Sequence, residues 1–142
     1  MMVDDAAGIK RLLTTSRTIA VVGLSAKPGR PSFDVARYMR AHGYRIVPVN
    51  PAYAEVLGEK CYASLTDIPF KLDMVNCFRK SEDIPPIAEE AILIGAPCLW
   101  LQQGIINVSA QERATAAGLS VVVDRCLKIE HRQLLGGPAA VT

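Results

Sequence analysis

The chain has 142 residues, half of them apolar and 21% charged, and carries a formal net charge of +2. That length fits one domain, residues 1–142, rather than two, and the composition excludes a disordered chain. So slight a positive excess excludes a nucleic-acid role argued from overall charge, while leaving room for a local basic patch that faces an anion.

The first helix signal covers residues 4–16, with Ile9, Leu12 and Leu13 on one face. Ile19-Ala20-Val21-Val22, ending at Gly23, is a short continuous apolar run and predicts a strand buried on both faces. Ser32 is a good N-cap for a helix that runs to His42, with Gly43 as its stop. Arg45-Ile46-Val47-Pro48-Val49 predicts a second strand, irregular at its end because Pro48 has no N–H, and closed by Asn50-Pro51. Residues 52–70 form a loose connection with a turn-like segment at 64–69, and residues 73–78 predict the third strand. Pro85 and Pro86 suit the first turn of a helix in which Ile87, Ala88, Ala91 and Ile92 recur at helical spacing. Cys98-Leu99-Trp100-Leu101 predicts strand four, and Ser109 with Glu112 forms a capping box for a helix ending at Gly118. Residues 119–123 predict strand five, residues 127–135 a last amphipathic helix, and residues 136–142 a frayed tail beyond a core of about 9–135.

Strands alternating with helices of about ten residues imply right-handed βαβ units. The fold class is therefore α/β: a doubly wound parallel five-stranded sheet in three α/β/α layers, with strand order 3-2-1-4-5. Ligands of such sheets bind beyond the carboxyl ends of the strands, which here collects residues 23–32, 49–51, 78–82 and 101–107. In the first of these loops Gly23 lets backbone approach a ligand, and the helix beginning near Ser32 offers free N–H groups. Lys27 and Arg30 add two cations, a combination suited to a phosphate or pyrophosphate. A standard dinucleotide cradle does not fit, because the G-x-G-x-x-G offsets from Gly23 fall on Ser25 and Pro28. The acidic ribose partner after strand two is also missing, and no G-K-[ST] supplies a Walker loop.

A family resemblance rests on Val22-Gly23-Leu24-Ser25-Ala26-Lys27-Pro28 with Arg30-Pro31-Ser32, on Gly43-Tyr44-Arg45 and on Val47-Pro48-Val49-Asn50-Pro51. Gly58-Glu59-Lys60-Cys61-Tyr62, Ser64-Leu65, Trp100-Leu101-Gln102 and Asp124-Arg125-Cys126 with Glu130-His131 extend it over roughly residues 9–135. In these motifs the chain closely resembles the small stand-alone coenzyme A-binding proteins, whose domain is related to the N-terminal domain of the succinyl-CoA synthetase α subunit. The resemblance implies a Rossmann-like domain holding CoA at the point where strand order reverses. It implies that adenine and phosphates contact Gly23, Ser25, Ala26, Lys27, Arg30 and Ser32. Asn50 and Pro51 would line the nucleotide side, with Phe78, Arg79 and Gln102 on the opposite wall. Many relatives carry a basic residue directly after the Asn-Pro; here it is Ala52, which leaves Lys27, Arg30 and Arg79 to supply the charge.

Catalytic equipment is sparse. Succinyl-CoA synthetase transfers phosphate through a histidine in a second domain, and this chain is expected to stop before any such domain. His42 reads as a cap in the last turn of the first crossover helix, and His131 as a structural partner of Asp124 or Arg125. Trp100 reads as core, Glu89 and Glu90 as solvated, and no G-x-S-x-G is present. The four cysteines lack metal-site spacing; Cys77 and Cys98 read as buried hydrophobes, and Cys126, between Arg125 and Lys128, reads first as a buried inert thiol and second as a candidate for a mixed disulfide with CoA. No export signal opens the chain, and its longest apolar stretch, residues 91–101, is too short to span a bilayer, so a cytoplasmic protein without a membrane partner is expected. The reading is a non-catalytic module whose ligand is CoA or an acyl-CoA. Its alternatives are a CoA-thioester enzyme, a nicotinamide-nucleotide-binding protein, and a regulatory interaction protein with a degenerate pocket. A homodimer or another protein partner is compatible with so apolar a domain, and the sequence places no interface.

Overall fold

The computed structural model describes residues 1–136. Its first half runs α1 (Ala6–Thr15), β1 (Thr18–Val22), α2 (Pro31–Ala41), β2 (Arg45–Val49) and a short hairpin of β3 (Glu55–Val56) and β4 (Glu59–Lys60). The second half runs β5 (Met74–Cys77), α3 (Ile84–Leu93), β6 (Cys98–Leu101), α4 (Val108–Ala116), β7 (Ser120–Val122) and α5 (Leu127–Leu134). Residues 137–142 of the expected tail lie outside the described residues. Gly136 does not fray: it is buried, and its N–H donates to the His131 carbonyl at 2.9 Å.

The five long strands form one parallel sheet in the order β2-β1-β5-β6-β7. This corrects the expected 3-2-1-4-5: the third long strand, β5, pairs with β1 on the side away from β2. Pro48 supplies the reason. In a parallel strand one residue turns both its N–H and its C=O to the same neighbour, and the next residue turns them to the other side. The Val49 carbonyl accepts from Gly23 N–H (2.8 Å) on the β1 side, so Pro48 faces outward, where its carbonyl accepts from Tyr62 N–H (3.0 Å). The missing N–H therefore falls on the outer side of β2, and a strand lacking a donor there is held to the edge. A single parallel bridge between Val49 and Tyr62, with β4 packed beside β2, covers that edge.

Alternating strand residues serve two cores, one on each face, as a parallel sheet covered on both sides requires. Ala20, Val22, Val75, Leu99 and Val121 pack against α3 and α4 through Ala88, Ala91, Ala110 and Ala114. Ile19, Val21, Met74, Trp100 and Val122 pack on the other face against Ile9 and Leu13 of α1, Val35 and Met39 of α2, and Leu127 of α5. Trp100 is fully buried, as expected of a core residue, and its indole N–H donates to the Arg125 carbonyl at 2.8 Å.

Two helix starts differ from expectation. Pro31 takes the first helical position of α2 and holds Arg30 before it in extended backbone, so Arg30 is the cap and Ser32 falls inside the first turn. Helix α4 is capped by Asn107 rather than by the Ser109/Glu112 pair. Its Oδ1 accepts from Ala110 N–H (2.9 Å), its own N–H donates to Gln111 Oε1 (3.0 Å), and its Nδ2 donates to the Ser81 carbonyl (2.9 Å). Three bonds at one side chain and its backbone outcompete a serine two residues on, which only donates to Asn107 Oδ1. Replacing Asn107 by Ala is expected to cost about 1–2 kcal/mol in thermal or urea denaturation, whereas Ser109→Ala changes stability by no more than about 0.5 kcal/mol.

Candidate functional site

The loops after all five long strands gather at one edge of the sheet, and the order of the strands puts the reversal between β1 and β5. Gly23 closes β1 there with a left-handed φ of +85°. A Cβ at this position would run into the Phe78 carbonyl oxygen and stand 3.3 Å from Arg79 Nε, so only glycine lets the two loops meet. Phe78 N–H donates to the Val22 carbonyl (2.8 Å) and completes the junction.

The loop from Gly23 to Ser32 is tied by its own serines. Ser32 Oγ, buried, accepts from Ser25 N–H (3.0 Å), and Ser25 Oγ accepts from Lys27 N–H (3.1 Å). Lys27 and Arg30 are exposed, and among the described residues neither is in an ion pair. Among the described residues no side chain caps α2, so the donors of its first turn are left for an anion beside those two cations. Asn50 is spent on the chain itself: Nδ2 donates to the Leu24 carbonyl (3.1 Å) and Oδ1 accepts from Ala52 N–H (2.9 Å). Its side chain locks the β2 loop to the β1 loop.

Two clefts flank the reversal point. The larger, about 670 Å³, opens between α2 and α5, with Val35, Phe78, Ile105 and Ile129 as apolar lining and Gln102 among its polar residues. The smaller, about 190 Å³, lies on the α3 side and is lined by Pro51, Ser64, Ile87 and Glu90. Arg79 lines both. The structure thus brings Phe78, Arg79 and Gln102 to the large cleft and Pro51 to the small one. It leaves Gly23, Ser25, Ala26, Lys27, Arg30 and Ser32 in the adjoining loop and first helical turn. The large cleft has two further cations, Arg132 and Lys128, the latter read from the sequence only as a neighbour of Cys126. Their spacing of four in a helix that starts at this edge puts them on one face, which is the signal that could have found them.

A buried polar pair stands behind Gln102. Asn76 is fully buried on β5, and its Nδ2 lies 3.4 Å from Gln102 Oε1, which also accepts from Leu127 N–H at 3.3 Å. Among the described residues Asn76 Oδ1 has no partner, an arrangement that costs about 1–3 kcal/mol.

The titratable groups sort by burial. Burial raises the thiols of Cys61, Cys77 and Cys98, the last to about 12, whereas Cys126 is half-buried and lines the large cleft. His42 accepts the cap role expected of it, with Nδ1 donating to the Tyr38 carbonyl (2.8 Å). His131 does not partner Asp124 or Arg125: its Nδ1 meets the Tyr38 hydroxyl at 2.9 Å, and Arg125 pairs with Glu130 (3.4 Å). Burial first, and His42 second, pull the His131 pKa below its ordinary 6.5. Glu89 pairs with Arg113 (3.0 Å), while Glu90 is not simply solvated, since it accepts from Leu65 N–H (3.0 Å). Among the described residues no group of His, Cys, Asp and Glu could hold a metal ion, and no helix is long and apolar enough to cross a membrane.

Residues 17–132 match the family model described as a CoA binding domain. The chain is 45% identical over 125 residues to the uncharacterised protein YneT of Bacillus subtilis, covering 88% of this chain and 93% of that one. It is 25% identical over 132 residues to an ADP-forming acetate–CoA ligase of Methanocaldococcus jannaschii, covering 87% of this chain and 19% of the ligase. A solved structure of a hypothetical protein from Pyrococcus horikoshii OT3 superposes with a TM-score of 0.91 at 43% identity, over 94% of each chain.

Two outcomes follow from this geometry. Brief alkylation of the folded protein is expected to label Cys126 and to spare Cys61, Cys77 and Cys98 until the chain unfolds, as peptide mass spectrometry reads directly. His131 binds a proton more readily unfolded than folded, so its contribution is intact above its ordinary pKa of about 6.5 and is lost as pH falls below it. The melting temperature of the unsubstituted protein is therefore expected to fall more steeply between about pH 7 and 5 than that of His131→Gln.

Proposed function

The chain belongs to the CoA-binding domain family, and from that premise we propose that it binds coenzyme A or an acyl-CoA as a cytoplasmic module with no chemistry of its own. The observation that carries this reading is Arg79, which lines both clefts at the reversal point, beside the loop that bears Lys27 and Arg30. CoA is a nucleotide joined through a pyrophosphate to a long, mostly uncharged arm. A guanidinium between two clefts suits the anionic middle of such a molecule. The nucleotide lies toward Pro51 and the β1 loop, and the arm runs into the larger cleft over Val35, Ile105 and Ile129. The chain spans about a fifth of the length of the Methanocaldococcus ligase, so only a CoA-handling site is taken from that likeness.

Calorimetric titration with CoA, NAD and ATP tests the reading. CoA is expected to bind, and replacing Lys27 and Arg30 together, or Arg79 alone, by Ala is expected to weaken it about tenfold or more, the scale of a lost charge-assisted hydrogen bond. Binding of NAD without binding of CoA overturns the proposal.

A further inference from the structure

The larger cleft contains one polar group whose orientation the chain fixes without using it. Gln102 is 6% exposed and lines the cleft. Its Oε1 is held by two donors from different elements, Asn76 Nδ2 at 3.4 Å and Leu127 N–H at 3.3 Å. Both hold the oxygen, which fixes which end of the amide is which, and the Nε2 end has no protein acceptor among the described residues. The cleft that the amide lines is part apolar, through Val35, Phe78, Ile105 and Ile129, and part charged, through Asp34, Arg79, Lys128 and Arg132. A donor held in such a place is a specificity device, because a ligand without an acceptor there leaves it unpaired.

We propose that the Gln102 NH2 donates to a carbonyl oxygen on the arm of the bound ligand, an amide or a thioester carbonyl, and is the group by which the cleft distinguishes an arm-bearing nucleotide from a bare one. The proposal rests on the CoA reading above and goes further by naming the atom and the acceptor class. Asn76 is its positioning residue. Asn76 is fully buried, leaves its own Oδ1 unpartnered among the described residues, and shares its Nδ2 between Gln102 Oε1 (3.4 Å) and the Trp100 carbonyl (3.5 Å), which ties the Gln102 amide to the sheet and so orients it. A phosphate has better partners in Arg79, Lys128 and Arg132 of the same cleft, whereas an amide NH2, which carries no charge, suits an uncharged carbonyl. The arm of CoA offers two amide carbonyls, and an acyl-CoA adds the thioester carbonyl.

The test compares CoA with ADP, which lacks the arm, on the full chain. In the Gln102→Glu variant the shape is kept, one oxygen still accepts from Leu127 N–H, and the donor becomes an acceptor that repels a carbonyl. CoA affinity is expected to fall about tenfold or more in Gln102→Glu and in Gln102→Leu, with ADP affinity changed less than twofold in Gln102→Leu, which adds no charge. Asn76→Leu is expected to lower CoA affinity in the same selective way while leaving the melting temperature equal or higher, which a merely structural role would not do. In the unsubstituted protein the Gln102 side-chain NH2 resonances are expected to shift on adding CoA or pantetheine and to stay in place on adding ADP, a readout that needs no variant to fold. Equal losses for CoA and ADP, no loss for either, or NH2 resonances that do not move at saturating CoA overturn the assignment while leaving CoA binding itself standing. Failure of the unsubstituted protein to bind CoA overturns both readings.

Discussion

Pro48 faces outward from β2 with no N–H to offer, so a full parallel strand on that side would lose a ladder hydrogen bond at its centre. Everything at the functional edge follows from where the next long strand goes instead. Because β5 pairs with the other flank of β1, the loop after β5 comes to lie against the loop after β1, and Phe78 meets Gly23. The reversal of strand order then falls between those two strands, and Arg79 stands in the gap. In the order 3-2-1-4-5, β5 would be separated from β1 by β2, and the guanidinium would stand one strand away from the loop that carries Lys27 and Arg30. A single missing hydrogen at the sheet's edge sets the electrostatics at its middle.

The same edge shows a division between groups that hold the fold and groups left over. Asn50, Ser25 and Ser32 are polar residues of a nucleotide-binding sheet edge, yet their side chains accept from or donate to the chain's own backbone. They shape the loop, and the free donors are those at the start of α2 together with the exposed cations. Gln102 is built the opposite way: its acceptor is consumed twice, and its donor end faces no protein partner among the described residues. Natural folds depart from local economy mostly where a ligand needs it, and the unpartnered Asn76 oxygen is such a departure in an otherwise apolar face of the sheet.

Much of this fold was legible in the sequence because parallel strands buried on both faces read as unbroken apolar runs, and β2 and β6 carry the expected bounds for that reason. Strand order was not legible from periodicity, which reports burial and not neighbours. The decisive residue was nevertheless visible: Pro48 signals an irregular strand, and the step from irregular to edge depends on which way the missing N–H points, a matter of register with Tyr62, 14 residues on. Helix starts shifted by one or two residues wherever a stronger competitor stood nearby, Pro31 before Ser32 and Asn107 before Ser109. At the site, the loop residues were readable as a motif, whereas the α5 wall with Lys128 and Arg132 was not, because a closing helix gives no sign of which earlier helix it faces. The partner of His131 is hidden from the sequence for the same reason: Tyr38 is 93 residues away.

That closing helix also explains how a cleft can exist ready-made in so small a domain. Its N-terminal end is fixed by Arg125, whose carbonyl accepts from the Trp100 indole (2.8 Å) and whose guanidinium donates to the Asp4 carbonyl (2.8 Å) and pairs with Glu130 (3.4 Å). Leu127 is fully buried beneath it, and His131, bound to Tyr38, joins its middle to α2. Each wall of the cleft is therefore anchored to the sheet or to the opposite wall at more than one point before any ligand arrives. Ordering a wall on binding would cost side-chain and backbone freedom that a ligand must offset. With the walls fixed, the binding free energy is left to the contacts themselves, and a single oriented donor such as Gln102 can then discriminate between ligands rather than merely help to assemble the site.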